Sequence, residues 1–205
     1  MYRDDNSTAQ DQGRSQRLRM ALRDETRHAH QALDDEMSAF RLDDAKDYAA
    51  FLATHAAVLP AYERALEEAG IAHELPDWSA RQRRQALAED LAELPFQESV
   101  AAIDIDADLS SPAARLGAAY VLEGSRMGAR LLMERVPQGD PRFPTRFLGH
   151  GQGERLWAGF VSVLDEADKE GISHGDAVNA ARHTFEVYQR AAMAQTHGRS
   201  NKTLP

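Results

Sequence analysis

The sequence predicts an all-α fold organised as a single helical domain, and three observations carry that prediction. Apolar residues recur every three or four positions along most of the chain. Strand signals are nearly absent, the best being an apolar–acidic alternation over Val100–Asp108 that is too brief to found a sheet. The 205 residues suffice for one full-sized domain. Residues 1–13 are polar and aperiodic and read as a disordered N-terminal tail. The helical domain is expected over 14–195, with a flexible tail over 196–205.

The first predicted helix starts near Ser15 and carries Leu18, Leu22, Ala29, Leu33 and Met37 on one stripe. A second opens at the Asp43-Asp44 cap and closes at Gly70, with a kink expected at Pro60. A third begins at Ser79, with Gln82 completing a capping box, and stops before Pro95. The fourth has Ser111 as its cap and Pro112 at its first position, and runs to about Val136. A loop holding Pro137, Pro141 and Pro144 follows. The fifth covers about Gln152–Glu170 and the sixth runs from Ser173 to about Ala194.

Composition narrows the function. With 24 Lys+Arg against 33 Asp+Glu the chain is formally −9, which argues against a nucleic-acid binder that must neutralise phosphates. Cysteine is absent, so thiolate nucleophiles, Cys-bound zinc and iron–sulfur clusters are excluded. No apolar run approaches the ~20 residues that span a bilayer, and nothing resembles a secretory signal. The expected setting is cytoplasmic, with no membrane partner.

The fourth helix spends stability on glycine. Gly117, Gly124 and Gly128 fall within a narrow arc, and each costs about 1 kcal/mol relative to alanine in a helix interior. A face stripped of side chains suits close approach of another backbone, or of a flat ligand lying on the main chain. From these residues alone, close packing against a neighbouring helix is the more ordinary reading.

The first helix carries the histidines, in RDETRHAHQALDD. His30 falls at the edge of the buried stripe and His28 roughly opposite, toward solvent. Arg23 precedes His30 by two turns, about 10 Å along the same face. Residues 14–30 hold five Arg against Asp24 and Glu25, whereas residues 31–69 hold three positives and nine negatives. An imidazole with a cation at that distance suits a ligand with a metal centre and an anionic rim, as haem has. Taken alone, a core-edge histidine and an ordinary solvated arginine face remain the simpler readings. No His-Glu-x-x-His, phosphate-binding loop or nucleophile elbow competes. Gly149, Gly151 and Gly153 lack the preceding strand that a nucleotide loop needs. His183, near Phe185 and Tyr188, reads as structural.

Together these segments resemble the haem oxygenase family, particularly the bacterial biliverdin-producing type often associated with bacteriophytochromes. The resemblance covers roughly residues 16–193. LRDETRHAH resembles the family's first-helix motif, whose threonine precedes the haem-ligating histidine by four residues, pointing from Thr26 to His30. Arg23 falls where the family places a propionate partner. AYVLEGSRMGARLL resembles the distal helix, whose paired glycines contact the haem face, here Gly124 and Gly128. FLGHGQGERLWAGF and ARHTF resemble later segments and place Phe185 at the haem wall.

The resemblance implies haem as cofactor and substrate, with His30 on the iron, cleaved to biliverdin, CO and free iron. O2 and an electron donor are implied partners, the donor a ferredoxin- or flavodoxin-type reductase or another reductant. A bacteriophytochrome receiving the biliverdin is a further implied partner. Animal members carry an aspartate after the first distal glycine, where this chain has Ser125, which can hold a water but cannot carry that charge. The alternative is a haem-binding carrier or sensor without turnover. A third is a helical interaction protein that binds no haem.

Overall fold

The first predicted helix is two helices in line, α1 (Arg17–Glu25) and α2 (Arg27–Met37), joined at Thr26. The buried Thr26 hydroxyl donates to the Leu22 carbonyl at 2.6 Å, and its own carbonyl accepts from His30 N at 2.9 Å. Backbone bonding therefore crosses the joint, and α2 keeps the register of α1. This computed structural model describes residues 17–95 and 99–200. The tail expected at 1–13 and the 201–205 part of the tail expected over 196–205 lie outside the described residues.

Asp44 caps α3 (Ala45–Glu68), its carboxylate accepting from Lys46 N at 3.0 Å and Asp47 N at 3.1 Å. The helix continues through Pro60 and buries Tyr48, Phe51, Leu59, Tyr62 and Leu66. A short 3₁₀ turn, Ile71–His73, follows the left-handed Gly70.

The third predicted helix is not continuous, and the capping box does not form. The chain makes one turn, α4 (Trp78–Arg81), passes through extended backbone at Gln82 (φ −69°, ψ 132°), then enters α5 (Arg84–Glu93). The reason lies on α3. Buried Glu63 accepts from the amides of Arg83 (2.7 Å) and Arg84 (3.1 Å), capping α5 from outside its own sequence. Glu67 meanwhile accepts from the Gln82 side chain.

Ser111 caps α6 (Pro112–Met133) as expected, accepting from Ala114 N at 3.1 Å. Within the proline loop lies one further turn, α7 (Arg146–Gly149), whose amides at Arg146 and Phe147 donate to buried Asp90 at 3.1 and 2.8 Å. Helix α8 (Leu156–Lys169) starts four residues after the expected Gln152, because Gly151 and Gly153 hold φ of +72° and +86° in the turn before it. The last helix, α9 (His174–Ser200), extends past the expected end at Ala194 and past the domain limit at 195.

Helix α9 organises the molecule, packing against α6, α2 and α3. At Gly117 its approach to α6 is so close that a Cβ would stand 2.0 Å from the carbonyl oxygen of Ala177. Leu18 and Leu22 of α1 are fully buried, each contributing about 2 kcal/mol of transfer free energy. Among the described residues there is no strand, and no helix is long and apolar enough to cross a membrane.

Candidate active site

Between α2 and α6 the packing opens into a cavity of about 750 Å³, within the range of pockets that enclose a whole ligand. One wall is α2, through His30, Leu33 and Met37; the other is α6, through Val121, Gly124 and Gly128. Phe185 and Tyr188 of α9 reach the cavity, as do Phe51 and His55 of α3. The lining is mainly apolar, with few polar groups, which suits a flat hydrophobic molecule.

His30 lines the α2 wall. Its Nδ1 stands 3.1 Å from Asp34 Oδ2, one turn on, and its ring meets Phe185 edge-on at 5.5 Å and 81°. A carboxylate on one ring nitrogen and an aromatic edge on the ring leave Nε2 as the nitrogen without a hydrogen-bond partner among the described residues. A histidine with one nitrogen oriented by a carboxylate can offer the other to a metal. The side chain is 60% exposed, more open than a residue at the edge of the stripe was expected to be. His28 points to solvent as expected.

Facing His30's wall, α6 presents main chain. A Cβ on Gly124 would have only the Trp157 ring at 4.0 Å, and one on Gly128 would meet nothing within 4 Å. The three glycines of α6 thus divide: Gly117 is required by α9, whereas Gly124 and Gly128 keep side chains off the cavity wall.

The family model described as "Heme oxygenase" matches residues 16–194. The chain belongs to the heme oxygenase family. It is 30% identical over 155 residues to a heme oxygenase of Xanthomonas campestris pv. campestris, covering 74% of this chain and 92% of that one. It is 31% identical over 159 residues to the heme oxygenase PigA of Pseudomonas aeruginosa, covering 74% and 77% respectively. Membership makes the chain an enzyme of heme oxygenase type, acting on haem with O2 and a reductant.

Of the residues that the sequence singled out, the fold brings His30, Gly124, Ser125, Gly128 and Phe185 to the one cavity. Thr26 is not on its wall; its hydroxyl is spent on Leu22 and it acts within the helix that carries His30. Arg23 is exposed and also off the wall, although its charge and that of Arg19 reach the phenol of Tyr120, which is on it. His183 is structural, bonded to the Ile105 carbonyl at 2.6 Å.

The cavity also holds polar groups that sequence reasoning passed over. Arg83 is buried, donating from Nη2 to the Ser125 hydroxyl (2.8 Å) and the Leu122 carbonyl (2.8 Å), with its guanidinium over the Phe147 ring. Its Nε has no partner among the described residues. Burial, with Arg126 adding to it, lowers its pKa to about 10, so it stays charged at neutral pH. His55 sits among Phe51, Phe147 and Tyr188, and burial, then Arg83, lower its pKa to about 3. It is a neutral imidazole at any physiological pH. Arg135 adds an exposed cation at the cavity edge. Arg83 lay hidden in the basic run RQRR, which locally reads as a solvated face.

Proposed function

We propose that this chain cleaves haem oxidatively to biliverdin, CO and free iron in the cavity between α2 and α6, using O2 and external electrons. The observation that carries the reading is the imidazole of His30, set across the apolar cavity from the bare main chain at Gly124 and Gly128. The group fits the donor set, because the cavity offers a carboxylate-oriented imidazole on one wall and no side chain at the glycines of the other. When bound, haem supplies the iron that activates O2 and the macrocycle that is opened.

The remaining chemistry belongs to this chain. His30 Nε2 would hold the iron, and Asp34 would orient the ring by accepting from Nδ1. Gly124 and Gly128 put no side chain on that wall, so a flat ligand and O2 could approach the main chain directly. Ser125 lacks the charge of a carboxylate, but Arg83 brings a permanent cation to its hydroxyl. The Ser125 hydroxyl itself donates to the Leu122 carbonyl at 2.7 Å, so Arg83 is the cationic donor of the pair and Ser125 its acceptor. Neutral His55 supplies an acceptor nearby. Arg23 and Arg135 are the cations for the anionic rim, and Thr26 keeps the turn carrying His30 in register.

Purified protein given hemin, a reductant and O2 should develop a Soret band on binding and then lose it as a bilin forms. A bound Soret band that persists under those conditions overturns turnover and leaves a carrier or sensor. Failure to develop any Soret band overturns haem binding altogether.

A further inference from the structure

One buried charge cluster lies beside the cavity without lining it. Glu123, immediately before Gly124, is almost fully buried, and its carboxylate is held from two sides. Arg81 Nη1 donates to Oε2 at 2.6 Å and Arg126 Nε donates to Oε1 at 3.0 Å. Arg81 is itself fixed, donating to both carboxylate oxygens of Asp77 (2.7 and 2.8 Å) and to the Leu156 carbonyl (3.0 Å). Arg126 donates to the Arg81 carbonyl and stands 3.1 Å from His150 Nδ1. Helix α4, the start of α8 and the loop between α7 and α8 therefore converge on the residue before the first cavity glycine.

The glycines explain why such an anchor is needed. Side chains ordinarily fix a helix by interlocking with neighbours, but Gly124 and Gly128 have almost nothing to interlock with. The firm contact at Gly117 is seven residues earlier, about 10 Å back along the axis. Glycine also lowers the cost of local unwinding. Buried ion clusters contribute little net stability compared with apolar substitutes, whereas they do fix geometry.

We infer that Glu123, gripped by Arg81 and Arg126, is a positioning residue that sets where the Gly124–Gly128 main chain stands over the cavity. The inference rests on the proposed reading of that cavity as the haem site, and it acts through Gly124 rather than by touching the ligand.

The test compares the full chain with Glu123→Gln, and with Glu123→Leu combined with Arg81→Met, which removes opposite charges together. In haem-free protein, amide exchange across 124–130 should speed up at least tenfold in both, with 113–120 unchanged. Hemin affinity should stay within about threefold while kcat for hemin breakdown falls at least tenfold at unchanged KM. The double variant should hold or regain the wild-type Tm and still show the fast exchange and low kcat. Unchanged exchange in both variants overturns the inference. So does uniform acceleration along all of α6, or a double variant that recovers kcat and exchange together with Tm. If Glu123→Gln fails to fold, the double variant alone decides. If the wild type takes up no hemin, the proposed function fails, while the exchange measurement still judges the anchor.

Discussion

The Nη2 nitrogen of Arg83 lies 2.8 Å from the hydroxyl of Ser125, binding the start of α5 to the cavity side of α6. Glu63 holds Arg83 in place from below by accepting its backbone amide at 2.7 Å. The charge that Ser125 lacks is thus delivered from 42 residues away in sequence. Arg83→Met should leave hemin binding within a few-fold and lower turnover by at least tenfold, since a positioned donor is worth that much or more. Ser125→Ala should cost less, because Arg83 keeps the Leu122 carbonyl. Single-turnover bilin formation checks both, and equal rates in all three proteins would remove the pair from the chemistry.

His30→Ala should abolish turnover and shift the Soret band of bound hemin, with added imidazole restoring part of both. His28→Ala should be nearly silent, since that side chain faces solvent. Damage from His28→Ala with normal behaviour of His30→Ala would show that the wrong face of α2 has been assigned to the ligand.

The three glycines of α6 should separate cleanly in stability. Gly117→Ala drives a methyl into the Ala177 carbonyl and should destabilise the fold by roughly 3 kcal/mol or more. Gly128→Ala meets open space and should stabilise it by up to about 1 kcal/mol through helix propensity. Bulkier Gly124→Leu or Gly128→Leu should fold and yet lose turnover by occupying the cavity. Denaturant unfolding alongside hemin turnover measures both halves, and full turnover in both leucine variants would contradict the close-approach argument.

His55 links the cavity to pH. Its folded pKa of about 3 lies below the ordinary value of 6.5, so the unfolded chain binds the extra proton between those limits. The stability that neutral His55 contributes is complete above about pH 6.5 and is lost as pH falls toward 3, at up to about 1.4 kcal/mol per unit. Burial raises the pKa of Glu63 and Asp90, which acts in the opposite direction. The difference between wild type and His55→Gln isolates the histidine. Urea unfolding from pH 7 to 4 should show the wild type losing more stability than the variant, and parallel curves would contradict the shift.

Much of the proposed site was legible because its signals are local. Helical spacing alone separates His30 from His28, since 100° per residue decides which faces the apolar stripe. Gly124 and Gly128 announce themselves by their cost, and Phe185 came with its segment's resemblance. Arg83 was not legible. In RQRR nothing local distinguishes Arg81 and Arg83, which are buried, from Arg84, which is partly exposed. The extended backbone at Gln82 makes that difference, and it is imposed by Glu63 on another helix.

The sequence by itself determined that this is a helical chain and which residues form its apolar stripes, and its family resemblance marked His30, Gly124 and Gly128 as candidates for the proposed haem site. Periodicity, caps and helix-breaking residues act over a few positions, so they can be read in order. Only the tertiary structure decided that Gly117 serves α9 while Gly124 and Gly128 serve the cavity, though all three share one arc. It also decided that Arg83 and Glu123 are buried and that His55 stands on the cavity wall. Burial of a charge depends on partners distant in sequence, and no local pattern encodes where those partners stand.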